Sequence, residues 1–134
     1  MKVDTTIHII KGNTSMLKKY PNPSKYKYMI KSTCPEVTFI GMEGEFKQPD
    51  FAEIQIDMVP NKSIIDLKSL KFYLQQFRDK LTSYERLVNI IFENINEVYA
   101  PYFLRVKLKT NPRGGIYSEL IVDSEQRWNE LKGE

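Results

Sequence analysis

Four short stretches carry side chains whose type and spacing suit chemistry. In "QPDFA", Asp50 stands at the mouth of a strand, just after a polar interruption. An acid there can deliver a proton to a bound substrate, or merely open a turn. In "DLKSLKFY", Asp66 precedes Lys68, Ser69 and Lys71 at a helix start. Asp66 suits an N-cap, and the lysines suit either a solvated face or a cationic rim for phosphates. "SYERLVN" puts Tyr84 and Glu85 in a first helical turn, where the helix dipole favours a carboxylate. The two acceptor oxygens of Glu85 also match the paired N–H edge of a purine-like ring. "NPRGG" sets Arg113 and Gly114 in a tight turn, a hairpin on one reading and a phosphate contact on the other.

The elements that must position these groups follow from periodicity. "KYKYMIKST" and "EVTFIGM" read as two strands. "FAEIQIDMV" alternates, with Ala52, Ile54, Ile56 and Met58 on one face, as a half-buried strand does. Leu67, Leu70, Leu74, Phe77 and Leu81 recur at helical spacing, and so do Leu87, Ile91, Ile95 and Val98 behind a Ser83 N-cap. "FLRVKLKTN" alternates again, "GIYSELIVD" supplies a last strand, and a short helix around Trp128 closes the chain. The order is β-β-β-α-α-β-β. It predicts an α+β unit, an antiparallel sheet with two consecutive helices on one face. Its open sheet edges invite pairing between copies, hence a ring-forming homo-oligomer.

Composition bounds the function. The 134 residues suit one core. Residues 1–23 read as a basic N-terminal arm and 24–134 as a single domain. From Thr5 to Pro35 there is no acidic residue, while Lys11, Lys18, Lys19, Lys25, Lys27 and Lys31 alternate with Tyr20, Tyr26 and Tyr28. That segment is either a solvated arm or a surface for phosphate or RNA. With a net charge of +3 the chain tolerates an anionic ligand without demanding nucleic acid. No apolar run approaches the roughly 18 residues of a membrane span. One cysteine, Cys34, and one histidine, His8, exclude an internal disulfide and a zinc site built on Cys and His, and fit a reducing compartment, the cytoplasm.

The ordered series "PEVTF…QPDFAEI…MVPNKSIIDLKSLKFYLQQFRD…YERLVN…NPRGG" resembles the QueF-type 7-cyano-7-deazaguanine reductases over roughly Tyr28 to Val122. The resemblance implies the tunnelling fold (T-fold), with subunits joining their sheets into a ring and sites between subunits. It implies NADPH-dependent reduction of a nitrile to an aminomethyl group in the queuosine pathway of tRNA modification, without a metal. A cysteine thiolate attacks the nitrile carbon and an aspartate supplies protons. By position Asp50 matches that aspartate. Glu85, with Tyr84 where the family usually has His, matches the anchor of the deazapurine edge. Ile65, Asp66 and Leu67 fall on the substrate side, Asp66 replacing the usual Glu. Lys68, Ser69, Lys71, Arg113 and Gly114 match cofactor-side positions.

One position departs from that pattern. The family's cysteine belongs in a "C-P-x-(T/S)-G" turn, and here the interruption is "GMEGEFK", with Gly41 opposite the missing Cys. Cys34 lies seven residues earlier, roughly 23 Å along an extended strand, and the odd offset predicts the opposite face. The residues therefore leave several functions open: a nitrile reductase with a rearranged nucleophile, a module binding a deazapurine, purine or pterin without covalent chemistry, and a tRNA-directed or pterin-directed enzyme on the same scaffold.

Overall fold

The computed structural model describes residues 12–41 and 48–125. Lys11 and the helix expected around Trp128 lie outside these residues. The strands are β1 (Lys19–Pro21), β2 (Ile30–Gly41), β3 (Gln48–Val59), β4 (Ser63–Ile65), β5 (Leu81–Thr82), β6 (Phe103–Thr110) and β7 (Glu119–Asp123), and the helices are α1 (Leu67–Gln75) and α2 (Tyr84–Tyr99). Five strands form one sheet in the order β5-β2-β3-β6-β7, and β1 pairs with β4 in a separate ribbon. All neighbours are antiparallel except β5, which runs parallel to the end of β2. The sheet is therefore mixed rather than purely antiparallel, and both helices pack on it. The expected α+β class holds.

The two strands expected before "FAEIQIDMV" are one strand. β2 runs unbroken from Ile30 to Gly41 against β3, with a register shift between Cys34 and Val37. Pro35 is tolerated because β5 reaches only Ile40 and Gly41, so β2 is a sheet edge at Pro35 and needs no N–H donor outward. The shift also overturns the expected facing of Cys34. A bulge adds one residue to the strand and restores parity. Cys34, Val37, Phe39 and Gly41 stand opposite Ile54, Ala52, Asp50 and Gln48, so all share one face.

Strand alternation sets the core as expected: Ile54, Ile56 and Met58 of β3 and Leu104, Val106 and Leu108 of β6 are buried beneath Leu87, Ile91 and Ile95 of α2. Ser83 caps α2, accepting from the Arg86 N–H. The first helix is shorter than its apolar spacing predicts. α1 gives way to a single 3-10 turn over Gln76–Asp79, and Leu81 belongs to β5. Leu67 is exposed and Tyr73 fills the core instead.

Part of the basic N-terminal segment is built into this body. Leu17 is buried, and the Lys18 carbonyl accepts from the Asp66 N–H and from the Tyr99 hydroxyl. No described helix is long and apolar enough to cross a membrane.

Candidate functional site

Asp50 anchors one group of site residues. It lies on β3 opposite Phe39 and is 4% exposed. A buried carboxylate must have its oxygens satisfied, and here three donors do so. Oδ1 accepts from the Phe51 N–H at 2.8 Å and from the Tyr84 hydroxyl at 2.7 Å, and Oδ2 accepts from the Arg113 guanidinium. The last pair is also an ion pair between a half-exposed Arg and a buried Asp.

Each partner is delivered by local structure that the sequence dictates. Tyr84 opens α2 directly after its cap, and its ring packs edge-on against Phe39 at 5.3 Å. Burial, followed by the hydrogen bond to Asp50, raises the Tyr84 pKa, so the phenol keeps its proton and donates. Arg113 and Ile116 exchange both backbone hydrogen bonds around a two-residue turn. Gly114 and Gly115 there have φ of +58° and +81°, which glycine adopts without strain. Glu85, next to Tyr84, is exposed in the first turn of α2.

Gly41 borders the same carboxylate. A Cβ built on it would lie 3.6 Å from Asp50 Cβ and 3.6 Å from Asp50 Oδ2, ordinary contact distances. The position opposite the missing cysteine is therefore beside the acid, and a Cβ there meets no clash. Cys34 is elsewhere: it faces Ile54, four residues from Asp50 along β3, about 13 Å away. Its thiol donates weakly to the Glu36 carbonyl at 3.6 Å.

The remaining expected site residues form a second group at the start of α1. Asp66 is the N-cap, accepting from the Ser69 N–H. Ser69 is buried, its hydroxyl donating to the Asp66 carbonyl at 2.7 Å and accepting from the Lys18 N–H at 3.0 Å. Both side chains are thus engaged in holding the helix start. Ile65 ends β4, opposite Lys19. Lys68 is exposed on the first turn of α1. Leu67 and Lys71 line a groove of about 580 Å³ between α1 and β2, whose wall includes Cys34 and Arg78. Leu67 and Ile65 adjoin Ile56 and Met58. Ile56 lies six residues along β3 from Asp50, about 20 Å, and the groove runs from there along β2 to Val37 and Thr38, beside the Phe39 that pairs with Asp50.

The pairing of Arg113 with Asp50 is not foreshadowed by spacing, which offers Arg113 to phosphate. Sequence reasoning misses Thr82 outright. It pairs with Gly41, is 1% exposed, and its hydroxyl has no hydrogen-bond partner among the described residues.

Comparison with known proteins finds relatives along most of the chain. A family model described as "QueF-like protein" matches residues 49–129. The chain is 36% identical over 115 residues to the NADPH-dependent 7-cyano-7-deazaguanine reductase of Aquifex aeolicus, covering 85% of this chain and 88% of that one. It is 32% identical over 108 residues to the enzyme of the same name from Sulfurimonas denitrificans, covering 81% and 85%. Among solved structures, an archaeosine synthase QueF-Like in the apo form matches with a TM-score of 0.66 at 15% identity, covering 74% of this chain and 95% of that one. That likeness shows the fold.

Proposed function

The chain belongs to the QueF-like protein family, and on that premise we propose that it binds a 7-deazaguanine-type base with NADPH and without covalent capture of the base. The observation that carries this reading is Gly41. It sits against Asp50 where the resemblance places the thiolate, and the chain's one cysteine faces Ile54 instead. A covalent thioimide needs a sulfur nucleophile at the nitrile carbon, and a carboxylate is a poor substitute.

Recognition survives that loss. Glu85 is exposed at a helix N-terminus and offers two acceptor oxygens to the N–H edge of the base. Asp50, with Tyr84 and Arg113 fixed on it, forms a rigid polar floor. Lys68, Lys71, Arg113 and Gly114 are the cofactor side, where cations and an approachable backbone suit phosphates. We assign the complete site to the junction of two copies in a ring, the arrangement that the resemblance implies. An NADPH requirement fits a cytoplasmic protein.

Reduction of 7-cyano-7-deazaguanine is the second reading. It is favoured by the curated reductases that the chain matches along most of its length. Melting curves with 7-cyano-7-deazaguanine, with and without NADPH, separate the two when run beside NADPH absorbance. A raised melting temperature without oxidation supports binding alone. Steady oxidation supports the reductase.

A further inference from the structure

The described part of the basic segment is braced against the body of the fold, and it carries cations that no acid neutralises. β1 pairs with β4, Lys19 opposite Ile65 and Tyr20 opposite Ile64. At one end Leu17 is buried, and the Lys18 N–H donates to the Ser69 hydroxyl at 3.0 Å. At the other end the Asn22 N–H donates to the Lys62 carbonyl at 2.9 Å, and the Asn22 side-chain oxygen accepts from the Tyr28 hydroxyl at 2.9 Å. Between Asn22 and Tyr28, the Ser24 hydroxyl accepts from the Tyr26 N–H and donates to the Tyr26 carbonyl, each at 3.0 Å. Lys25, Tyr26 and Lys27 are thus held out on a braced loop, and Tyr26 is 83% exposed. A merely solvated arm needs no such bracing, whereas a binding surface gains from being ordered beforehand.

Lys18, Lys19, Lys25, Lys27 and Lys62 are all exposed on this ribbon and its loop. Among the described residues none of them is in an ion pair, whereas Lys80, Lys107 and Lys109 elsewhere meet Asp79, Glu119 and the Tyr117 ring. No acidic residue lies within 12–30 or 61–65, and the neighbouring Asp66 is engaged in capping α1. We propose that the β1–β4 ribbon and the loop after β1 bind a single-stranded nucleic acid, the lysines meeting its phosphates and the exposed Tyr20 and Tyr26 stacking on its bases. From Lys18 to Tyr28 there is no Leu, Ile, Val or Phe, so the surface lacks the apolar face that a membrane-bound segment buries. A small anion would leave the tyrosines without a role. The proposal is independent of the base-binding reading. β1 and its loop precede residues 49–129, which the family model matches, and Asp50, Tyr84, Glu85 and Arg113 take no part in it.

The test is fluorescence anisotropy with labelled single-stranded RNA and DNA of one sequence, about twelve nucleotides long. Wild type is expected to bind at about 50 mM salt and to weaken toward about 200 mM, the slope of log affinity on log salt being about −3, roughly −0.7 for each of four phosphate contacts. Lys25→Gln combined with Lys27→Gln is expected to flatten that slope by about 1.4. Tyr26→Ala is expected to weaken binding about fivefold or more at an unchanged slope, and Tyr26→Phe to keep it. These side chains are exposed, so every variant should melt as wild type does. Binding of RNA, DNA or both supports the surface, and the tighter of the two identifies its ligand. No binding of either at low salt overturns it, as does binding of anionic lipid vesicles in place of the oligonucleotides. Equal weakening by Lys107→Gln combined with Lys109→Gln, which removes the same charge from β6, also overturns it, because net charge alone would then account for the binding.

Discussion

The hydroxyl of Tyr84 donates to Oδ1 of Asp50 across 2.7 Å, linking the first turn of α2 to the start of β3, 34 residues away in sequence. With the Phe51 N–H and the Arg113 guanidinium it completes the donors around this buried carboxylate. Tyr84→Phe removes one of them without changing the ring's packing on Phe39. Hydrogen bonds to a charged acceptor contribute about 1.5–3 kcal/mol, and the partly buried site of this bond places it at the low end. A loss of about 1.5 kcal/mol by chemical denaturation is expected, and an unchanged midpoint contradicts it.

Arg113 and Asp50 should be energetically coupled. Arg113→Ala strips the cation from a buried carboxylate, but the Arg side chain is 48% exposed, so solvent screens much of the pair. A double-mutant cycle of Arg113→Ala and Asp50→Asn is expected to return a coupling of about 1 kcal/mol. Strict additivity would place Arg113 away from Asp50 in solution.

Position 41 should accept a cysteine. A Cβ at Gly41 would meet its nearest neighbours at 3.6 Å, and no left-handed φ constrains the residue. Gly41→Cys is expected to fold with a melting temperature within a few degrees of wild type. Incubated with 7-cyano-7-deazaguanine, it should gain the mass of one ligand. A folded variant that binds the base yet stays unmodified would show that the nitrile carbon does not lie beside residue 41.

Alkaline pH should destabilise the fold through two buried phenols. Tyr99 donates to the Lys18 carbonyl at 2.7 Å, and burial pushes its pKa up from 10.0 to about 12. Tyr73, buried and bonded to Asn94, is raised further in the same direction, again by burial. A raised folded-state pKa favours the protonated phenol in the native state. Its stabilisation is complete below the unfolded value near 10 and is lost as pH rises through the folded value. Above pH 10 each phenol costs at most about 1.4 kcal/mol per pH unit. Denaturation at pH 9, 10 and 11 should show that fall, and Tyr99→Phe should flatten it by one group's share. An identical slope in the variant contradicts the assignment.

Much of this molecule is legible locally. The alternation of Ala52 to Met58, the Ser83 cap and the Leu87–Ile91–Ile95 stripe depend on near neighbours in the chain, and the structure has them where periodicity puts them. The bulge in β2 is not legible, because "STCPEV" breaks the apolar alternation and only the pairing with β3 shows that the strand continues. That one residue reverses the facing of Cys34. The site is legible as a set of residue types and not as a set of contacts. Arg113 and Asp50 are 63 residues apart, and no local spacing announces that one hairpin lays its guanidinium on a distant strand's carboxylate. The pairing of Thr82 with Gly41 is silent for the same reason, since it joins two strands far apart in sequence.

The central claim is that a base is held without being captured. Intact-protein mass spectrometry of the wild-type chain after incubation with 7-cyano-7-deazaguanine, run beside a melting curve, tests this most directly. At a ligand concentration of about 100 times Kd, binding adds about 2.7 kcal/mol to stability, so a raised melting temperature with an unchanged protein mass is the predicted result. A mass increase of one ligand that maps to Cys34 would contradict it, and would mean that the nucleophile has moved along β2 instead of being lost.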